Sequence, residues 1–156
     1  MSVRYHLVMK YSDEMYDTKD IILLHNQIAL RQGAVWIGKP YHVMGRVPMM
    51  QINEQIEAGF SSRLYLIDNK RTRPIGHFGE LLFISMKSPK EERELIPLFY
   101  KEKKILSRMK VWMKVSFLQG FYLDELPELQ KANKSYEQAV SFATGCSEYF
   151  MMVQDV

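Results

Sequence analysis

The chain has 156 residues, of which 47% are hydrophobic and 25% are charged, and its formal net charge is +3. That balance is typical of a soluble globular protein with a real core, and the charge is well short of that of a histone or a basic arm. No apolar run is long enough to cross a bilayer, and a single cysteine, Cys146, excludes an internal disulfide framework. We therefore expect one domain over residues 1–156, located in the cytoplasm and without a secretory leader.

The first forty residues predict a strand, a helix and a second strand. Apolar and polar residues alternate over residues 3–9, which is typical of a strand. Asp17 or Thr18 can cap a helix that stops at Gly33, and residues 34–38 form the next short strand. The apolar face of the helix consists of Ile21, Leu24 and Ile28.

The middle of the chain predicts a second helix and two further strands. Residues 39–48 contain two prolines and a glycine, which predicts a loop. Met49, Ile52 and Ile56 share one face of a short helix that ends at Gly59. A buried strand is then predicted over residues 63–68, a polar turn over residues 69–74 and a strand over residues 76–86.

The remaining elements complete the predicted fold class. Residues 88–91 (SPKE) have the form of a capping box with proline at the first helical position, so we expect a brief helix and then a loop over residues 96–100. Strands are predicted at residues 110–117 and 149–153, a helical turn at 123–129 and a helix at 135–143. The prediction is an α/β chain of the α+β kind, with five to six strands in a small curved mixed sheet or barrel flanked by helices.

Several common chemical motifs are missing from the sequence. There is no phosphate-binding P-loop, no dinucleotide fingerprint and no nucleophile elbow. The four histidines, which share no metal-ligand spacing, are His6, His25, His42 and His77. We therefore predict no catalytic set, no metal and no cofactor, and we do not expect an enzyme.

Aromatic residues supply the candidate ligand-binding groups. Trp36 lies just after the first helix, where its indole either packs as core or forms the wall of a pocket for a flat ring. Tyr11 and Ser12 close the first strand, where they either form a turn or contact the edge of a base. The candidate partners of Trp36 are Tyr41, Tyr100 and Trp112.

Basic residues supply the candidate phosphate contacts. Such runs are most often solvated loops, but those that flank predicted strands favour a polyanion partner. One run, Lys70, Arg71 and Arg73, lies between two predicted strands. A second run lies in another loop and consists of Lys101, Lys103, Lys104, Arg108 and Lys110. The phosphate-binding candidates are Lys10, Lys39, Arg46, Lys70, Arg71 and Arg73.

Four segments resemble the PUA-like superfamily, in particular its EVE and YTH domains. RYHLVMKYS resembles the aromatic-rich first strand, and GAVWIGK is similar to the segment after the first helix, whose tryptophan forms one wall of a cage. RLYLIDNKRTRPIGHFGELLFIS resembles the later hairpin, and VWMKVSFLQGFYLDEL resembles the strand that follows it.

This resemblance implies a function and roles for particular residues. Trp36 would be a cage wall, Ile37 would contact the base through its backbone, and Lys10 and Ser12 would lie at the mouth of the pocket. The expected function is a nucleic-acid-binding module that flips a modified, methylated base into an aromatic pocket, with DNA as partner rather than RNA. Such modules often serve as the recognition part of restriction or defence systems.

Three other functions remain open from the sequence. The same pocket suits a sensor of a small molecule or nucleotide. An enzyme acting on nucleic acid would use His42, His77 and Glu80 as acid–base groups. An interaction protein would form a homodimer, or bind an effector protein, through its methionine-rich C-terminal strand. None of these functions involves a membrane.

Overall fold

A computed structural model describes residues 4–18, 20–40, 45–68, 76–122, 129–131 and 150–155. The strands are β1 (Tyr5–Tyr11), β2 (Val35–Pro40), β3 (Ser62–Asp68), β4 (Gly76–Ser85), β5 (Met109–Val115), β6 (Gln119–Phe121), β7 (Leu129–Lys131) and β8 (Phe150–Asp155). The helices are α1 (Ile21–Gln32), α2 (Arg46–Glu57) and the single turn α3 (Phe99–Glu102), with short 3-10 turns at Asp13–Tyr16, Arg93–Leu95 and Leu106–Arg108.

The eight described strands form one mixed sheet. Their order is β2-β5-β4-β3-β1-β8-β7, and β6 pairs with β4 outside this path. Strands β1 and β3 run parallel, whereas the other described pairs are antiparallel. The predicted mixture of helices and a mixed sheet is confirmed. The described strands form an open sheet and not the barrel alternative, and they exceed the predicted five to six because β6 and β7 were not predicted.

The first helix forms where the sequence predicts it, but its cap differs. The Asp20 side chain accepts a hydrogen bond from the Leu23 N–H at 3.0 Å, and Gly33 ends the helix with φ 84°. The predicted caps were wrong, because Asp17 instead ends the 3-10 turn before the helix in a left-handed conformation. The glycine stop is confirmed, since a left-handed residue after a helix favours glycine.

Strands β1 and β3 lie at the centre of the sheet and are buried on both faces. Leu7 and Leu64 are opposite one another in the parallel register and belong to the main core. His6 and Lys10 alternate with the core residues of β1, yet they are also buried. On this face of the sheet the His6 ring meets the Tyr65 ring of β3 edge-on, with centroids 6.3 Å apart.

In two segments, the structure places the loop and the helix at different residues from those predicted. The brief helix predicted to begin at the capping box of residues 88–91 is replaced by the 3-10 turn Arg93–Leu95, and α3 lies within and after the predicted loop at residues 96–100. Pro97 lies just before α3, where its missing N–H costs nothing, and its carbonyl accepts the Tyr100 N–H at 3.3 Å. The loop predicted at residues 39–48 is also partly wrong, because β2 extends through Pro40 and α2 begins at Arg46.

Some predicted elements lie outside the described residues. These are the turn at residues 69–74, the helix at residues 135–143 and most of the helical turn at residues 123–129, although Leu129 belongs to β7. The closing strand predicted at residues 149–153 overlaps β8, so that prediction is confirmed.

Side-chain amides attach the two longer helices to the sheet region. Each amide bonds both the N–H and the C=O of a single residue, as a neighbouring strand would. The three pairs are Asn26 of α1 with Leu118, Asn53 of α2 with Ile84, and Gln55 of α2 with Tyr5, all at 2.7–3.1 Å. These contacts hold both helices against the sheet region, and α1 carries His25 of the site described below.

Candidate functional site

Strand β2 is a terminal strand of the sheet, and two tyrosines bond its backbone at Gly38. The Tyr16 hydroxyl donates to the Gly38 carbonyl at 2.7 Å, and the Gly38 N–H donates to the Tyr100 hydroxyl at 2.9 Å. Terminal strands expose backbone groups that another strand could pair with. Here the two side chains satisfy those groups at the residue opposite Trp112.

A buried histidine extends this network. The Tyr100 hydroxyl donates to His25 Nε2 at 2.7 Å, and His25 Nδ1 donates to the Ile21 carbonyl. A carbonyl can only accept, so Nδ1 carries the proton and Nε2 is the acceptor. Burial lowers the pKa of His25 to about 4, and it raises the pKa values of Tyr16 and Tyr100 above their ordinary range. The network is therefore uncharged near neutral pH.

Aromatic rings surround the network. Phe99 stacks on Tyr100 with ring centroids 4.2 Å apart, and Tyr100 contacts Trp112 at 4.9 Å. Tyr16 and His25 meet these rings edge-on. We call these five residues, Tyr16, His25, Phe99, Tyr100 and Trp112, the aromatic cluster.

A pocket of about 420 Å³ lies beside the aromatic cluster, between α3 and β5. Its floor consists of the buried residues Tyr100, Met109 and Trp112, and its rim includes the exposed residues Lys101, Lys104 and Ser107. Ser88 and Leu106 complete the lining. Pockets for small ligands typically combine such an apolar floor with a few polar groups at defined places. We call it the α3–β5 pocket.

The charge of this pocket comes from two lysines. Lys101 and Lys104 are both exposed, and within the described part of the chain neither forms an ion pair with a carboxylate. By contrast, Lys114 of β5 bonds Glu92 at 2.8 Å. The two ammonium groups of the pocket are thus available to an anion, and two serine hydroxyls lie beside them as further hydrogen-bond donors.

Trp36, the main candidate from the sequence, lies on β2 outside this pocket. Only 3% of its surface is exposed, and its indole meets Phe83 edge-on at 6.4 Å between centroids. Its Nε1 has no hydrogen-bond partner among the described residues. The indole face is therefore covered, and the cage-wall role stays a prediction.

The structure brings two of the other base-binding candidates together. Tyr100 and Trp112 contact each other and share the floor of the pocket, although 0% and 1% of their surfaces are exposed. Ile37 and Tyr11 are buried in the main core, and Ser12 is half-buried beside Tyr11. Burial, followed by the charges of Asp68, Asp13 and Asp20, raises the pKa of Tyr11. Tyr41 lies outside the described residues.

The phosphate-binding candidates lie apart from one another. Lys10 and Lys39 are buried, and burial lowers the pKa of the Lys39 ammonium to about 8. Arg46 is exposed at the start of α2. Lys70, Arg71 and Arg73 lie outside the described residues. None of these residues lines the α3–β5 pocket.

The acid–base candidates are also separated. His77 lies near the end of β3 that carries Asp68; burial lowers its pKa, and its Nδ1 has no hydrogen-bond partner among the described residues. Glu80 instead pairs with Arg63 at 3.3 Å, and His42 lies outside the described residues. In the part of the chain that the structure describes, no three His, Cys, Asp or Glu residues are placed to hold a metal.

Sequence reasoning missed most of the rim. Lys101 and Lys104 belong to a basic run that was noticeable in the sequence, but a charge run does not show which of its members face one pocket. Ser88, Ser107 and Met109 carry no signal of their own. Ser88 joins the site from the segment after β4, Ser107 from the 3-10 turn after α3, and Met109 from the start of β5.

Comparison of the chain with protein-family models, with curated proteins and with solved structures gives no match. Among the described residues, no helix combines the length and the apolar character that crossing a membrane requires. The proposals below therefore depend on the residues and geometry described above.

Proposed function

We propose that the chain is a nucleic-acid-binding module and that the α3–β5 pocket receives a methylated base together with a flanking phosphate. The observation that carries this proposal is the set of residues that line the pocket, in which Tyr100, Met109 and Trp112 occur together with two exposed lysines and two serines. A base would meet the apolar floor, and the phosphate would meet the ammonium groups. DNA is the proposed partner, and RNA is tested beside it.

The magnitudes indicate that the lysines would supply much of the affinity. Extruding a base from a duplex costs a few kcal/mol, and stacking on an aromatic ring is worth about 1–3 kcal/mol. Tyr100 and Trp112 are almost fully covered, so a base would gain little stacking from them, and Met109, with 7% of its surface exposed, is the floor residue that it would contact. A buried methyl group adds about 0.8 kcal/mol. Contacts from Lys101 and Lys104 to phosphate would have to make up the difference.

We also propose that the chain is a member of the PUA-like superfamily, related to EVE and YTH domains. Support comes from the four sequence segments that resemble these domains and from the combination of a mixed sheet with flanking helices. The proposal places the ligand at the α3–β5 pocket, which Tyr100 and Trp112 line and Trp36 does not.

The test is a binding titration with labelled oligonucleotides. Single- and double-stranded DNA and RNA are titrated, each with and without base methylation. Each titration is run at about 50 and about 200 mM salt, so that the dependence of affinity on salt concentration can be measured. We expect a preference of about fourfold for the methylated strand, from one buried methyl group. The variant Lys101→Ala/Lys104→Ala should lose at least about tenfold in affinity, because hydrogen bonds to charged groups are the stronger ones.

Lys103→Ala is the matched control, because Lys103 is an exposed lysine of the same turn that does not line the pocket. For a single strand, the double variant should also flatten the dependence of log affinity on log salt by about 1.4, the value for two lost phosphate contacts. Equal losses in the control and the double variant would refute the proposed site, and no binding to any oligonucleotide would refute the function.

The volume of the pocket favours one alternative, a sensor of a free nucleotide or another small anionic ligand. About 420 Å³ lies within the range of pockets that enclose small molecules. Tight binding of a nucleoside monophosphate, together with weak binding of every oligonucleotide, would support this alternative.

A further inference from the structure

The turn that follows α3 has the hydrogen bonds of a Schellman motif. The Lys104 N–H donates to the Lys101 carbonyl and the Ile105 N–H donates to the Tyr100 carbonyl, both at 3.0 Å. This arrangement requires a left-handed residue between the helix and Ile105, and Lys104 has φ 57°. Ile105 and Tyr100 are both fully buried, which anchors the turn on the aromatic cluster.

Lysine is an unusual residue for that conformation. The corresponding residues after α1 and α2 are Gly33, with φ 84°, and Gly59, with φ 90°. Asp17 and Lys104 are the non-glycine residues with positive φ in the described part of the chain. Aspartate adopts this region more readily than most residues, whereas the Cβ of lysine is strained there. Strained residues of this kind occur preferentially at ligand-binding sites.

The turn also determines where the Lys104 side chain lies. Lys104 and Lys101 line the same pocket, together with Ser107 from the 3-10 turn that follows. Lys103, one residue earlier and in a right-handed conformation, does not line it. The left-handed residue is therefore one of the two that supply positive charge to the pocket.

We propose that Lys104 is a phosphate-binding residue whose side chain is worth more to ligand binding than its backbone conformation costs in stability. This inference rests on the proposed function of the α3–β5 pocket as a site for a phosphate-bearing ligand. Glycine at this position would relieve the strain and remove the ammonium group. Stability and affinity should then change in opposite directions, which a merely structural role of Lys104 would not produce.

The experiment compares Lys104→Gly, Lys104→Arg and the control Lys103→Ala. Melting is measured for each, and so is binding of the preferred oligonucleotide, of a nucleoside monophosphate and of the matching nucleoside. For Lys104→Gly we expect a Tm higher by about 2–4 °C and an affinity for both phosphate-bearing ligands lower by roughly tenfold. Lys104→Arg should keep the affinity and the Tm of the original chain, and Lys103→Ala should keep the affinity.

The outcomes separate this inference from the proposed function. If the original chain binds the oligonucleotide and Lys104→Gly binds it equally well, the role of Lys104 is refuted while the proposed function stands. If only the monophosphate binds, and Lys104→Gly loses it, the role of Lys104 is supported while the nucleic-acid function fails. Binding of neither phosphate-bearing ligand, or a lower Tm for Lys104→Gly, would overturn the inference.

Discussion

The aromatic cluster and the rim of the α3–β5 pocket are adjacent, but they differ in whether their polar groups have partners within the protein. Inside the cluster, the hydroxyls of Tyr16 and Tyr100 and both ring nitrogens of His25 have hydrogen-bond partners. On the rim, Lys101 and Lys104 have no carboxylate partner among the described residues. Tyr100 belongs to both regions, since it also lines the pocket.

This difference distinguishes a structural site from a binding site. A buried polar network whose members are all paired stabilises one arrangement of the chain, and it leaves no group to receive a ligand. Unpaired cations over an apolar floor gain stabilisation only when an anion arrives. We therefore expect changes in the cluster to alter stability first, and changes on the rim to alter affinity first.

The largest effect should come from Tyr100→Phe, which removes the central hydroxyl of the network. The variant leaves the Gly38 N–H and His25 Nε2 without partners, and each unsatisfied buried group costs about 1–3 kcal/mol. We expect a loss of about 3 kcal/mol in the free energy of unfolding, or roughly 6–12 °C in Tm. Urea denaturation and thermal melting measure both quantities.

Tyr16→Phe is the matched control for this variant. It removes a hydroxyl from the same cluster, but it leaves only the Gly38 carbonyl without that partner. The expected loss is about 1 kcal/mol, with no change in ligand affinity because Tyr16 does not line the pocket. Equal losses for the two variants would show that the network through Tyr100 does not act as we describe.

A second effect of similar size should appear as the pH falls. The unfolded chain binds a proton at His25 below its ordinary pKa of 6.5, whereas the folded chain does so only near 4. Stability from this group is therefore complete above pH 6.5 and is lost as the pH falls toward 4, by about 3 kcal/mol in total. Urea denaturation at several pH values between 7 and 4 measures the slope.

His25→Gln separates this titration from that of the carboxylates. The variant is less stable at pH 7, but its stability should fall less between pH 6.5 and 4 than that of the original chain. The same slope in both proteins would mean that His25 is not kept neutral by burial. A steeper loss of stability between pH 6.5 and 4 in the original chain than in the variant would confirm that protonation of His25 destabilises the aromatic cluster.

Local sequence patterns predicted much of the fold, and the reasons differ between elements. Helix α1 was predicted from the spacing of Ile21, Leu24 and Ile28 and from the stop at Gly33, because helix periodicity and a left-handed glycine are local signals. The brief helix predicted to begin at residues 88–91 did not form, although its capping pattern is also local. The chain there continues to α3, where burial of Phe99 and Tyr100 decides the structure.

The candidate site was predicted only in part. Tyr100 and Trp112 were named from the sequence, and the structure places them in contact on one pocket floor. The hydrogen bond from Tyr100 to His25 joins residues 75 positions apart, and no local pattern encodes it. Likewise, the basic run around Lys104 was visible in the sequence. Which of its side chains line the pocket depends on a left-handed turn, and a lysine at a position where glycine is usual does not suggest such a turn.

The last substitution, at Gly38, tests whether a change next to the aromatic cluster alters the pocket floor. At Gly38, an added Cβ would lie 2.5 Å from Cγ and 2.8 Å from Sδ of Met109, a residue of the pocket floor. Gly38→Ala should therefore cost about 2 kcal/mol through overpacking. It should also displace Met109 and so weaken ligand binding, whereas Tyr16→Phe, which removes a hydrogen bond to the same glycine, should not.

A double-mutant cycle with Met109→Ala identifies the cause. Shortening Met109 removes both atoms that the new methyl group approaches most closely, so the double variant should be more stable than the sum of the two single losses by about 1 kcal/mol. Urea denaturation of the four proteins measures this coupling. Losses that add within about 0.5 kcal/mol would mean that Gly38 is needed for another reason, such as its bonds to Tyr16 and Tyr100.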